Sequence, residues 1–188
     1  MTTTTLTKTF TEVAPTATMQ EPEAELRQGY AQVGDVKLHY VEAGDGPLVV
    51  LLHGFPEFSL AWREQIPAIA AAGFRVVAPD LRGHGKTDKP AGGYLMRDLA
   101  ADVIAFMDAK GIVRATVIGH SMGGFVAQQV AFAAPKRVSR LILVGTVRKP
   151  TNLAAFGELE KAVMALSDPV PDAFAREFQL STVYTPVG

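Results

Sequence analysis

From residue 36 onward, short runs of apolar, mostly β-branched residues alternate with longer segments in which apolar residues recur at helical spacing. This alternation predicts an α/β fold with a mostly parallel sheet and helices on both faces. The strand-like runs are residues 36–41, 48–52, 74–78, 115–118 and 141–144, and the helical segments are residues 62–72, 95–109 and 122–133.

Two of the runs differ in a way that indicates their place in the sheet. Residues 36–41 (VKLHYV) alternate apolar and polar side chains, which predicts an outer strand. Residues 48–52 (LVVLL) are apolar throughout, as expected for a strand that is buried on both faces.

The composition changes at both ends of this pattern. Residues 1–25 are rich in Thr with scattered Pro and Glu, and we expect them to form a disordered tail. Residues 26–146 carry the α/β pattern. Residues 147–188 contain four prolines and two helical segments but no strand-like run, which predicts part of a helical cap over the sheet.

Charge and composition narrow the classes of partner. The 188 residues include 18 Lys and Arg against 19 Asp and Glu without a charge block, so we expect a small-molecule partner and no nucleic acid. No apolar run reaches the roughly 18 residues of a membrane span, so we expect no membrane partner. The chain has no cysteine and no signal-peptide core, which suits a cytoplasmic protein. The oligomeric state stays open.

Metal chemistry has little support in the sequence. The absence of cysteine excludes thiolate ligands, and no two of the four histidines have the spacing of a metal site. We therefore expect no metal.

The strongest chemical motif is the sequence GHSMG at residues 119–123, which matches G-x-S-x-G between a predicted strand and a predicted helix. Such a turn holds a serine hydroxyl clear of the sheet, where a base and a substrate can reach it. Ser121 is therefore the candidate nucleophile. Gly119 and Gly123 allow the strand and the helix to approach closely around the turn. His120 should point to the other side of the turn.

The second motif is HGFPE at residues 53–57, directly after the buried strand. Acyl transfer needs preorganised N–H groups for the oxyanion, and in this architecture two backbone amides provide them. One belongs to Met122, and the other comes from this loop, most plausibly from Phe55, because the next residue is a proline without an N–H. Gly54 supports the loop, and we expect His53 to be a buried histidine that fixes it.

Together with DLRGHG at residues 80–85 and DKP at residues 88–90, these motifs resemble the α/β-hydrolase superfamily. The resemblance spans residues 34–180 and is to the branch of esterases, epoxide hydrolases, haloalkane dehalogenases, cofactor-free haloperoxidases and C–C bond hydrolases. It implies the first six strands of the core followed by the start of a helical cap. Epoxide hydrolases and dehalogenases of this branch have an aspartate at the turn, so Ser121 favours acyl transfer from ester-like substrates over alkyl-enzyme chemistry.

A nucleotide site can be rejected. Residues 80–87 (DLRGHGKT) end like a phosphate-binding loop, but Asp80 replaces the first glycine of that motif and DKP follows instead of a helix. The sequence GHSMGG lacks the glycine spacing of a dinucleotide fold. We expect no cofactor.

No histidine follows Ser121, although the order in this fold is serine, then acid, then histidine. Asp168 and Asp172 lie in the expected cap, so the acid is unassigned. The resemblance places the acid and the histidine after the cap, and we therefore expect a chain that is truncated within the cap. Its turnover should be absent or close to background. Residues 141–144 should form an uncovered edge strand that favours aggregation. The alternatives are an epoxide hydrolase-like enzyme and a non-catalytic ligand-binding protein of the same fold.

Overall fold

A computed structural model describes residues 25–146 and Lys161. The chain divides after Thr146 into two units, and the first contains a six-stranded sheet with three α-helices. The strands are β1 (Arg27–Val33), β2 (Val36–Ala43), β3 (Leu48–Leu52), β4 (Arg75–Pro79), β5 (Ala115–His120) and β6 (Val138–Val144), and the helices are α1 (Gln65–Ala71), α2 (Met96–Ala109) and α3 (Met122–Ala133). The predicted tail and cap lie outside the described residues, apart from Glu25 and Lys161.

The strand order is β1-β2-β4-β3-β5-β6. The strands β4, β3, β5 and β6 run parallel to one another, and β2 pairs antiparallel with both β1 and β4. The predicted α/β class with a mostly parallel sheet is confirmed. The carboxyl ends of β3 and β5 therefore lie at one edge of the sheet, and the motifs at residues 53–57 and 119–123 follow those ends.

The strand β1 was missing from the predicted pattern, and this changes the position of β2. The prediction that residues 36–41 form an outer strand is wrong, because β2 pairs with β1 on one side and with β4 on the other. A two-residue loop joins the hairpin, and its first residue, Gly34, has a φ of 58°. Glycine takes that conformation without steric cost, as tight hairpin loops require.

Helices pack on both faces of the sheet, as predicted, while residues 141–144 of the edge strand β6 are exposed. One cluster packs α2 and α3 against the sheet, with Phe106, Leu99 and Val126 among its buried residues. The other packs α1 against the opposite face through Ile66 and Ala70. No helix in the described part of the chain has the length and apolar character needed to cross a membrane.

The element bounds differ from the predicted ones by as much as three residues at two places. Instead of one helix over residues 62–72, a 3-10 helix covers Ser59–Trp62 and α1 starts at Gln65. Pro67 explains the later start, because it lies within the first turn of α1, where its missing N–H costs nothing, and would break a helix that began at residue 62. The strand β6 starts at Val138, three residues before the predicted run. The sequence pattern missed this part of the strand because it carries the polar residues Ser139 and Arg140.

A buried ion pair fixes the loop after β4 to α2. The Arg82 guanidinium donates from Nε to Asp102 Oδ2 at 2.7 Å and from a terminal nitrogen to Oδ1 at 2.8 Å. This bidentate hydrogen bonding raises the pKa of Arg82, so its guanidinium is charged in the folded protein. The loop that carries DLRGHG is therefore held against the core.

Candidate active site

Ser121 occupies the turn between β5 and α3 with a φ of 49° and a ψ of −115°. Among the described residues it is the one non-glycine residue with a positive φ. Such a backbone costs on the order of 1–3 kcal/mol and persists when its surroundings hold it. Two hydrogen bonds do so here: the Ser121 amide donates to the Val144 carbonyl at 3.0 Å, and the Gly124 amide donates to the Ser121 carbonyl at 3.0 Å. Ser121 is half-buried and lies outside the core.

The two glycines that flank Ser121 lie against backbone atoms. A Cβ added to Gly119 would lie 2.3 Å from the carbonyl oxygen of Gly123, across the turn. A Cβ added to Gly123 would lie 2.2 Å from the carbonyl oxygen of Leu52 and 2.5 Å from that of His53. Since no side chain fits at either position, the start of α3 can lie directly against the end of β3.

The loop at residues 53–57 packs against this turn at Gly54. A Cβ added there would lie 3.2 Å from Cβ of Ser121 and 3.1 Å from Nδ1 of His120. The loop is closed by two hydrogen bonds: the Glu57 amide donates to the Gly54 carbonyl at 3.0 Å, and the Gly54 amide donates to Glu57 Oε2 at 3.1 Å. Phe55 follows Gly54, and the peptide bond between Phe55 and Pro56 is cis.

The two amides predicted to receive an oxyanion lie on the two segments that meet at this contact. Met122 is the first residue of α3, so its amide has no partner within the helix. Phe55 follows the glycine that contacts the turn, and its ring meets the edge of the His84 ring with centroids 5.9 Å apart. The assignment of these amides as oxyanion donors stays a prediction.

His53 is fully buried and held by two backbone groups. Its Nε2 accepts a hydrogen bond from the Leu81 amide at 2.9 Å, so Nδ1 carries the proton and donates to the Gly54 carbonyl at 2.8 Å. Burial lowers the pKa of His53 to about 4. A neutral imidazole of fixed tautomer therefore connects the loop at residues 53–57 to the loop after β4.

His120 points toward Glu57 and Trp62. Its Nδ1 lies 3.3 Å from Glu57 Oε2, and its ring meets the Trp62 ring edge-on at 6.5 Å. Glu57 Oε2 thus faces both the Gly54 amide and the His120 ring. In the sequence, Glu57 is only the last residue of the HGFPE motif. Its contact with His120, which lies 63 positions away, could not be predicted from that motif.

The other two histidines have structural partners. His84 Nδ1 hydrogen-bonds to the Arg82 carbonyl at 2.9 Å, and burial lowers the pKa of His84. His39 is buried beside Asp80, with Nδ1 2.9 Å from Oδ2. Within residues 25–146, no histidine forms a hydrogen bond with the Ser121 hydroxyl, and no group of acidic and histidine side chains could hold a metal ion.

Comparisons with known proteins give the family of this chain. The family described as alpha/beta hydrolase fold matches residues 47–182. The chain is similar to bifunctional epoxide hydrolase 2 of Sus scrofa, with 41% identity over 135 residues that cover 70% of this chain and 24% of the relative. It is also similar to the AB hydrolase superfamily protein YfhM of Bacillus subtilis strain 168, with 36% identity over 171 residues that cover 85% of this chain and 59% of the relative.

Among solved structures, the chain resembles the epoxide hydrolase CorEH determined without ligand, with a TM-score of 0.64 and 37% identity. The match covers 70% of this chain and 49% of that chain. The sequence thus spans from about a quarter to somewhat over half of the length of these relatives.

Proposed function

The chain belongs to the alpha/beta hydrolase fold family, and from that membership we propose that it is a serine hydrolase of small apolar, ester-like substrates with Ser121 as the nucleophile. The observation that supports this proposal is the positive φ of Ser121 at the turn between β5 and α3. A strained backbone at one serine, with glycines on both sides, is the arrangement that presents a nucleophile in this fold.

In the proposed reaction, the Ser121 oxygen forms a bond to the carbonyl carbon of the ester while its proton passes to a base. The electron pair of the carbonyl moves onto its oxygen, where the amides of Phe55 and Met122 stabilise the negative charge. The carbonyl then re-forms, the bond from its carbon to the alkoxide oxygen breaks, and the alkoxide leaves as the alcohol with the proton that the base had taken, so that an acyl-enzyme remains. Water then attacks the same carbon, the carboxylic acid leaves, and the Ser121 hydroxyl is restored.

The base is the missing part of this proposal. Each histidine near the turn has another partner: His53 binds backbone groups on both ring nitrogens, and His120 faces Glu57. Since loss of the base alone costs on the order of a millionfold in a comparable hydrolase, we expect the 188-residue chain to acylate slowly. Covalent capture at Ser121 is therefore a sharper test than turnover.

The test is reaction of the purified chain with a fluorophosphonate at about pH 9, where hydroxide substitutes for the base, followed by mass spectrometry of tryptic peptides. We expect the adduct in the peptide of residues 115–136, which contains Ser121. Ser121→Ala should abolish it. Ser139→Ala, which changes a serine on β6, should label like the wild type. Labelling that survives Ser121→Ala would contradict the proposal.

A second candidate is the opening of epoxides, because several relatives are named epoxide hydrolases. Attack of the Ser121 oxygen on an epoxide carbon would form an ether. An ether has no carbonyl carbon that water could attack, so this intermediate would not turn over. An epoxide hydrolase would therefore have to use a group other than Ser121, and diol formation from styrene oxide that Ser121→Ala leaves unchanged would favour this candidate.

A third candidate, a ligand-binding protein without catalysis, predicts no adduct at Ser121 under any of these conditions. The combination of a serine at the strained position and glycines at positions 119 and 123 argues against it, because binding alone does not require a strained nucleophile.

A further inference from the structure

Ser121 does not line the cleft that the structure shows beside the β1–β2 hairpin. This cleft has a volume of about 170 Å³ and lies between the β1–β2 hairpin and the segment that contains the 3-10 helix Ser59–Trp62. Phe55 and Met122 do not line it either. The volume is below the roughly 300–1,000 Å³ of pockets for drug-sized molecules, so a ligand of this cleft would be small.

A buried histidine, His39, lines this cleft. His39 is 3% exposed, and its Nδ1 lies 2.9 Å from Asp80 Oδ2 while its Nε2 lies 3.2 Å from Gln28 Oε1. The Gln28 oxygen also accepts a hydrogen bond from the Lys86 ammonium at 3.0 Å, and an ammonium can only donate, so this end of Gln28 is the oxygen. Both ring nitrogens of His39 therefore face oxygen atoms of neighbouring side chains.

The carboxylate of Asp80 does not make the cleft acidic. Its Oδ1 accepts a hydrogen bond from the Ser59 amide at 2.8 Å, and its Oδ2 accepts one from the Lys86 amide at 2.9 Å in addition to the one from His39. Burial alone would raise the pKa of Asp80, but hydrogen bonds from Ser59, Lys86 and His39 outweigh it and hold that pKa below its usual value. The carboxylate of Asp80 is therefore already surrounded by hydrogen-bond donors within the fold.

The mouth of the cleft keeps an excess of positive charge. The Lys86 ammonium has no carboxylate partner in the described part of the chain. Arg63 also lines the cleft and is paired with Glu64 at 3.2 Å, but its side chain is 61% exposed, so that pair is weak. A ligand anion would therefore meet one unpaired ammonium and one weakly paired guanidinium.

The walls beside these cations are apolar. Val41 and Ile66 line the interior, while Phe58 and Leu60 line the cleft with 39% and 53% of their surface exposed. Exposed apolar side chains next to an unpaired cation match a ligand that has an anionic end and a short apolar chain.

We propose that this cleft binds a small monocarboxylate with a short aliphatic chain. Its carboxylate lies at the Lys86 ammonium with Arg63 beside it, and its chain lies against Phe58 and Leu60. This site is separate from the candidate active site, so it does not depend on the proposed function of Ser121.

The test is calorimetric titration of the 188-residue chain with hexanoate, with hexan-1-ol as the matched neutral probe. We expect saturable binding of hexanoate with a Kd on the order of 1 mM, and binding of hexan-1-ol at least about tenfold weaker. Lys86→Met should weaken hexanoate binding about fivefold or more. Lys136→Met, which removes an ammonium outside the cleft, should leave the Kd unchanged.

A further variant tests the apolar wall and the location. Leu60→Ser changes an exposed side chain and should also weaken hexanoate binding, with thermal unfolding unchanged. Ser121→Ala should bind hexanoate like the wild type. The proposal is overturned if folded wild-type protein shows no saturation, if hexan-1-ol binds as tightly as hexanoate, if Lys86→Met has no effect, or if Ser121→Ala removes the binding.

Discussion

Gly54 and Ser121 are in contact, since a Cβ added to Gly54 would lie 3.2 Å from Cβ of Ser121. The same position is 3.0 Å from Glu57 Oε2 and 3.1 Å from His120 Nδ1. The space between the loop at residues 53–57 and the turn at Ser121 is therefore filled by backbone and by these three side chains. Any group added at Gly54 must displace at least one of them.

The first prediction concerns Gly54→Ala. The backbone at Gly54 is not among those with a positive φ, so the substitution adds crowding without backbone strain. We expect the melting temperature to fall by only a few degrees and fluorophosphonate labelling of Ser121 to slow about tenfold, because the loop amide at Phe55 shifts relative to the hydroxyl. Gly92→Ala is the control, since nothing lies within 4 Å of its added Cβ. Labelling at the wild-type rate in Gly54→Ala would contradict the expectation.

The buried pair of Arg82 and Asp102 gives a second prediction. Asp102→Ala should reduce the free energy of unfolding by about 3–5 kcal/mol, because it leaves the buried Arg82 guanidinium with only its long contacts to Asp35 and the Gly92 carbonyl. The double variant Arg82→Met/Asp102→Leu should recover most of that loss, since no charge then stays buried. Urea unfolding measures both. A double variant as unstable as Asp102→Ala would show that the loss has another cause.

An exposed pair provides the control for this cycle. Arg63 and Glu64 are 3.2 Å apart, with side chains 61% and 76% exposed. Arg63→Ala should change the free energy of unfolding by less than about 1 kcal/mol. A loss as large as that of Asp102→Ala would mean that the exposure of an ion pair does not determine how much it contributes to the free energy of unfolding.

The parts of the fold that the sequence predicted are those with a local signal. Five of the six strands and the helix α3 follow from apolar runs and helical spacing, and α3 has the predicted bounds of residues 122 and 133. The contact of Gly54 with the turn was not predicted in detail, but both motifs follow the carboxyl ends of adjacent parallel strands. Their meeting at one sheet edge is a consequence of topology.

The parts that were missed depend on distant partners. The strand β1 contains Gln28, Gly29 and Gln32, which weaken any local strand signal, and it is stabilised by pairing with β2. A Cβ at Gly29 would lie 2.6 Å from the Tyr40 hydroxyl oxygen, so the glycine makes room for a ring on the next strand. The pair of His39 and Asp80 joins residues 41 positions apart, and no spacing in the sequence indicates it.

The third prediction compares two neighbouring glycines of α3. Gly123→Ala would place its Cβ 2.2 Å from the Leu52 carbonyl oxygen, and a strand backbone cannot easily yield. Gly124→Ala would meet the Thr146 side chain, with Cγ2 at 2.3 Å. Both substitutions gain the same helix propensity, so a difference between their free energies of unfolding reflects the atoms that each added Cβ would meet. We expect Gly123→Ala to lose about 3 kcal/mol or more in urea unfolding and Gly124→Ala to lose less. Equal losses would mean that the backbone of β3 yields to the added Cβ as easily as the Thr146 side chain does.

The last prediction is a pH dependence from His53. Burial lowers the pKa of His53 from its ordinary value of 6.5 to about 4, so the unfolded chain binds one more proton at this side chain between those pH values. Stability therefore falls as the pH falls through this window and is fully present above it. The loss amounts to about 3 kcal/mol at most by pH 4.

His53→Gln isolates this contribution, because glutamine can accept from the Leu81 amide and donate to the Gly54 carbonyl without titrating. Urea unfolding of both proteins at several pH values between 7 and 4 measures the two slopes. We expect the variant to be less stable than the wild type at pH 7 but to lose less stability on acidification. Some pH dependence should persist, because burial also lowers the pKa of His84. Parallel slopes in the two proteins would mean that His53 does not gain its proton on unfolding, and the neutral tautomer assigned to it would then be wrong.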